Sequence, residues 1–266
     1  MAPILIFVML LITFCKIELR NFRVSAMTWL LLAVQMLGAL AAYFAILPVN
    51  EVLAQGAFIC IFCPTATAAP VITAMLGGDI QRLVTYSLVS NIAVAATAPL
   101  LFTMMGGDVS FVESTITIAS KVLPLILGPL AAAIVLKKVL PDAHRTLAYR
   151  QGISFYIWAF SLIIVVGRAV SFMLAEPADR IPLMTALALV SLLFCSLQFV
   201  VGRRIGASCG DKIAGAQGLG QKNTVLAIWM ALSYLNPLSS VAPAAYVAWQ
   251  NIINSTQIYF KMRRAS

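Results

Sequence analysis

Apolar stretches bounded by charged residues or by glycine and proline fall at about 3–15, 26–46, 52–76, 83–105, 114–136, 152–175, 181–201, 213–234 and 239–260. A helix needs about 20 apolar residues to cross the hydrocarbon core of a bilayer, and every stretch but the first comes close to that length. The pattern predicts an all-α membrane protein with nine transmembrane helices. The first stretch is short, and the basic residues Lys16, Arg20 and Arg23 follow it instead of preceding it. That polarity is opposite to a secretory signal, so the stretch reads as a helix of the working chain. Composition agrees with the pattern: the chain is 62% hydrophobic and 10% charged, whereas a soluble surface needs roughly a quarter charged residues. Nine helices leave no room in 266 residues for a catalytic or nucleic-acid-binding domain outside the bilayer. The net charge of +9 is therefore a topology signal, with the lipid bilayer as the partner and no nucleic acid.

Alternating the loops places Lys16, Arg20, Arg23, Arg82, Lys137, Lys138, Arg145, Arg150, Arg203, Arg204, Lys212, Lys261, Arg263 and Arg264 on one side and Arg180 alone on the other. Cytoplasmic loops attract Lys and Arg, which predicts a multi-pass protein of the inner cell membrane with its N-terminus outside and its C-terminus in the cytoplasm. Lys121, Arg168 and Lys222 remain inside predicted spans. The first two stand about two turns from the outer helix ends and can snorkel. Lys222 lies near the midplane, where an unpaired charge costs at least about 2.5 to 3.5 kcal/mol. A water-filled cavity, an anion or loss of the proton must compensate it.

Two spans are interrupted. The third contains Cys63-Pro-Thr-Ala-Thr-Ala-Ala-Pro70, and the eighth contains Gly215-Ala-Gln-Gly-Leu-Gly-Gln-Lys-Asn-Thr224 with Lys222 inside it. Irregular backbone at membrane depth is tolerated only when it is buried in protein or lines a cavity, and a break in each half of the chain points to an inverted-repeat transporter with its site at the crossing.

The run Cys63-Pro64, Thr67-Ala68, Val71-Ile72-Thr73, Gly78-Asp79, Val84-Thr85 and Ser90 resembles the fourth helix of the bile acid:sodium symporter family. Asn223-Thr224, Leu226-Ala227, Pro243 and Trp249-Gln250-Asn251 resemble its ninth and tenth helices. The resemblance covers nearly the whole chain from Pro3 onward, and its specific part is the two broken-helix motifs. It implies two inverted repeats forming a panel and a core within one transporter domain, 1–266. Panel helices are expected at 3–20 and 114–175 and core helices at 26–105 and 181–262, with the family's first helix absent. By position, the family's substrate contacts fall on Thr67, Asn223 and Asn251, with Lys222 and Thr224 beside them. The family's sodium ligands fall on Ala69, Pro70, Leu83, Ser87, Gly218 and Lys222, none of which supplies a carboxylate. Gln217 adjoins the position of the missing acid but carries no charge.

The expected function is alternating-access secondary transport of a small organic anion, whether a carboxylate, a sulfonate or a bile-acid-like molecule. Sodium is not required; Lys222 acts as a built-in cation, and release of its proton offers a route to proton coupling. No cofactor and no metal are expected. An enzyme is disfavoured because the sole histidine, His144, lies in a basic loop and no carboxylate lies in a span. The alternatives are a channel or a non-transporting sensor using the same pocket, and a metalloid carrier of arsenite type relying on Cys63.

Overall fold

The computed structural model describes residues 2–15, 24–106, 111–149, 160, 163–164, 166–167 and 170–265. The helices are α1 (Ala2–Cys15), α2 (Ala26–Ile46), α3 (Glu51–Phe62), α4 (Ala69–Leu76), α5 (Ile80–Met105), α6 (Phe111–Val139) and α7 (Pro141–Tyr149). They continue with α8 (Ile181–Ser208), α9 (Lys212–Gly220), α10 (Thr224–Tyr234) and α11 (Val241–Ala265), and short 3₁₀ turns cover Ala178–Arg180 and Pro237–Ser240. Among the described residues there is no β-sheet, and four helical segments are long and apolar enough to cross a membrane: Ala26–Ile46, Ile80–Met105, Val112–Val139 and Ala178–Ser208. The protein is an all-α, multi-pass membrane protein.

Local chemistry sets the helix ends. Asn50 Oδ1 accepts Leu53 N at 2.9 Å, Asp79 Oδ1 accepts Arg82 N at 3.1 Å, and Asp211 Oδ1 accepts both Ile213 N and Ala214 N at 2.9 Å. Each satisfies first-turn donors that have no partner within the helix. The cap at Asp79 starts α5 at Ile80, ahead of the apolar run expected from 83. Gly77, at φ 78°, closes α4 in the left-handed region that glycine enters without steric cost. The span expected at 152–175 lies mostly outside the described residues, as do 16–20 of the first panel segment. Residues 141–149, read from the sequence as loop, form α7.

The third and eighth apolar stretches are each split. Pro70 is not one of the breakers: it stands in the first turn of α4, where its missing donor costs nothing. Nor do Gly215, Gly218 and Gly220 break the eighth stretch, since all three lie within α9 and serve close packing. A Cβ on Gly215 would run into Gly202 O and stand 2.7 Å from Gly206 Cα, so α8 and α9 touch backbone to backbone through Gly202-x-x-x-Gly206. Gly218 lies under the Tyr86 ring and Gly220 under Phe199. On the other side of α3, Phe58 and Phe62 stack at 4.8 Å and meet Phe102 edge-on, filling the space between α3 and α5.

Candidate functional site: the crossing of two broken helices

Between α3 and α4 the chain runs extended, because Cys63 adopts φ −57°, ψ 143° ahead of Pro64. Between α9 and α10 it is extended at Gln221. The two extended pieces pair as an antiparallel bridge between Thr65 and Lys222, with Ala66 N donating to Gln221 O and Asn223 N to Pro64 O, both at 2.8 Å. The C-terminal ends of α3 and α9 and the N-terminal ends of α4 and α10 therefore meet at one point.

A helix end leaves its last carbonyls without intrahelical donors, and where it is buried other protein groups must supply them. Side chains do so here. Gln198 Nε2 donates to Cys60 O at 3.2 Å, and Lys222 Nζ donates to Ile61 O at 2.7 Å. Gln35 Nε2 donates to Phe62 O at 2.6 Å and to Cys63 O at 3.2 Å. At the end of α9, Thr65 Oγ1 donates to Gly218 O and Tyr246 Oη to Gly220 O, both at 2.8 Å. Cys63 Sγ donates to Asn223 O at 3.1 Å. Gln35 is the hub, since its Oε1 also accepts Tyr86 Oη at 2.6 Å and Ser90 Oγ at 2.8 Å.

Lys222 is 1% exposed, and its backbone N–H donates to Gln250 Oε1 at 2.9 Å. Its ammonium lies on the carbonyl end of α3, where the helix dipole is negative. In this conformation the charge is spent on the protein's own backbone and is not presented to a ligand.

The remaining expected contacts divide. Asn223 is buried; its Oδ1 caps α10 through Leu226 N at 3.2 Å, and its Nδ2 is buried without a partner. Thr224 is buried at the α10 start, with its N–H on Lys222 O at 2.9 Å. Thr67 is half-buried at the turn into α4, while Thr65 makes the bond across the crossing. Asn251 is not brought to the site: it is exposed, and its amide donates back to Val247 O at 2.8 Å, one turn earlier. Gln250 and Asn254 hold the buried face of α11 instead, Asn254 accepting Gln217 Nε2 at 3.0 Å.

At the expected sodium positions, Ala69 and Leu83 are buried apolar side chains and Pro70 opens α4. Ser87 is buried, its backbone carbonyl accepting Asn91 Nδ2 at 2.8 Å. A Cβ on Gly218 would meet Tyr86 Cδ1 at 2.9 Å, so an aromatic ring fills the place where the resemblance expects a carboxylate. Among the described residues no group of three or more His, Cys, Asp and Glu side chains could hold a metal ion.

Sequence reasoning missed Gln35, Gln198, Tyr86 and Tyr246. Their signal was present: an amide inside an apolar run, as in Leu-Ala-Val-Gln35-Met-Leu, must find a buried partner. No family model matches this sequence, and no curated protein matches it significantly.

Proposed function

We propose that the protein is a secondary transporter that moves a small organic anion by alternating access without sodium. The observation that carries this reading is the crossing itself, two half-helix pairs bridged inside the membrane with a lysine ammonium on the α3 terminus. Discontinuous helices of this kind are how transporters bring helix termini to a midplane site. Correspondences between the halves support an inverted repeat. Gln35 pairs with Tyr86 and Gln198 with Tyr246, both amides donating to the end of α3, while Tyr246 also reaches Gly220 O at the second break. Asp79 N donates to Asp211 Oδ2 at the start of α9, while Asn236 N donates to Gln55 Oε1 one turn into α3.

The α4 and α10 N-termini and the free Asn223 Nδ2 favour an anionic group. An open groove of about 520 Å³ between α1, α6 and α10, lined by Phe7, Lys121, Pro124 and Trp229 among others, supplies apolar surface with one cation beside it. It suits an anion with an apolar body. Lys222 takes the part of a bound cation at the α3 terminus, and release of its proton would couple the cycle to pH. The excess of basic residues in alternate loops orients the C-terminus to the cytoplasm of an inner membrane.

Proteoliposome uptake tests the reading. Saturable counterflow of a carboxylate or sulfonate in choline medium is the expected result, and a pH-gradient dependence lost in Lys222→Gln supports proton coupling. A saturable sodium requirement overturns sodium independence. Unsaturable currents identify a channel, and binding without movement identifies a sensor.

A further inference from the structure

α6 has 29 residues and is about 43 Å long, roughly 13 Å more than the hydrocarbon core. Its last turn, carrying Lys137 and Lys138, therefore projects into a headgroup layer. The chain then turns directly into α7, with Leu140 N on Leu136 O at 2.9 Å and His144 N on Leu140 O at 3.0 Å. α7 packs Leu147 and Ala148 inward against the core, toward α6 and α1, and leaves Arg145 exposed. Between the basic residues, Val139 is 68% and Leu140 56% exposed.

We propose that Lys137, Lys138 and Arg145, together with exposed Val139 and Leu140, form a docking surface for anionic phospholipid in the adjacent leaflet. Charge and depth both select this partner. Three cations face one acid, Asp142, at the level where phosphates lie, and the apolar pair beside them projects where acyl chains begin. A soluble partner would have to displace lipid from that level before reaching Val139. The surface does not depend on what the protein transports, and the orientation proposed above decides only which leaflet it meets.

The test compares nanodiscs of phosphatidylglycerol and of phosphatidylcholine, with lipid retention read by native mass spectrometry. A basic residue near an anionic surface contributes about fivefold, so two net charges give a preference on the order of 30-fold for the anionic lipid at low salt. The Lys137→Gln, Lys138→Gln, Arg145→Gln triple variant should lose that preference while melting normally in phosphatidylcholine, because all three side chains are exposed. The sole histidine gives a second reading on intact protein. Burial and the neighbouring Lys137 hold the His144 imidazole below its usual range. Its NMR titration should move up in phosphatidylglycerol discs, and less so in the triple variant. Equal retention of the two lipids, or a triple variant that keeps the preference, overturns the proposal. So does displacement of the lipid by inorganic phosphate at matched headgroup concentration, which would mark a site for free phosphate.

Discussion

Replacing Gln35 by leucine removes four hydrogen bonds at once, the donations to Phe62 O and Cys63 O and the acceptances from Tyr86 and Ser90. Leucine keeps the bulk, so the loss is polar. Side-chain hydrogen bonds within membranes average about 0.6 kcal/mol, and buried bonds in proteins generally about 0.5 to 1.5, so four bonds give a loss of roughly 2 to 6 kcal/mol. The upper part of that range is expected, because Phe62 O and Cys63 O lie at a helix end away from water. At about 2 to 4 °C per kcal/mol for a chain of this size, the melting temperature in detergent should fall by about 5 to 20 °C. Tyr86→Phe alone should cost little, since Gln35 Oε1 keeps Ser90. The double variant should be milder than the sum of the singles by about 0.5 to 1.5 kcal/mol, since no orphaned Tyr86 hydroxyl is left. A Gln35→Leu protein melting within about 2 °C of wild type, or a strictly additive cycle, would refute the assignment of Gln35 as the hub.

Gly215→Ala should destabilise by about 1 to 3 kcal/mol because the new methyl meets only backbone, whereas Gly38→Ala in α2, with its nearest contact at 3.9 Å, should stabilise by about 0.5 to 1 kcal/mol; thermal melts of the pair check the opposite signs. Asp211→Ala loses two caps and the tie to Asp79 N, so amide exchange should rise in the first turn of α9 and at residue 79 by a factor matching about 1 to 2 kcal/mol. His144 has its folded pKa depressed, so the unfolded form binds the proton more readily. The stability this gives α7 is present above the usual histidine value near 6.5 and falls as pH drops below it. The protection factors of α7 amides, with the intrinsic pH dependence of exchange divided out, should fall between pH 7.5 and 5.5 in wild type and stay level in His144→Gln.

The helical membrane character, the four long apolar helices and both breaks are legible in the sequence because apolar length and the Cys63-Pro64 and Gly215–Thr224 interruptions are local properties. The burial of Lys222 is legible from its place inside an apolar stretch. Its partner is not, since Ile61 lies 161 residues away in the chain. Asn251 lies off the crossing for a rotational reason. Neighbouring residues on a helix point about 100° apart, so a motif located to within one residue cannot say whether Gln250 or Asn251 faces the crossing. The glycines of α9 look like breakers in isolation, and only the approach of Gly202 and Gly206 shows that they are contact points. α7 was hidden because its nine residues carry too little apolar length to register as a span.

The crossing has a consequence for synthesis. Neither α3, with 12 residues, nor α4, with 8, is long enough to cross a bilayer alone, and the extended piece between them is held by groups that the ribosome makes much later. Thr65 waits 153 residues for Gly218, and Ile61 waits 161 for Lys222. At about 5 to 20 residues per second, that delay is on the order of 8 to 30 seconds. Gln35 precedes Phe62 by 27 residues, so it has already emerged when the first break appears and can occupy two of the exposed carbonyls at once. Nascent chains arrested before Lys212 should therefore leave the Glu51–Leu76 segment accessible to water-borne labels, and more so without Gln35. Release past Asn223 should close it, making integration of the first half a late event that the second half completes.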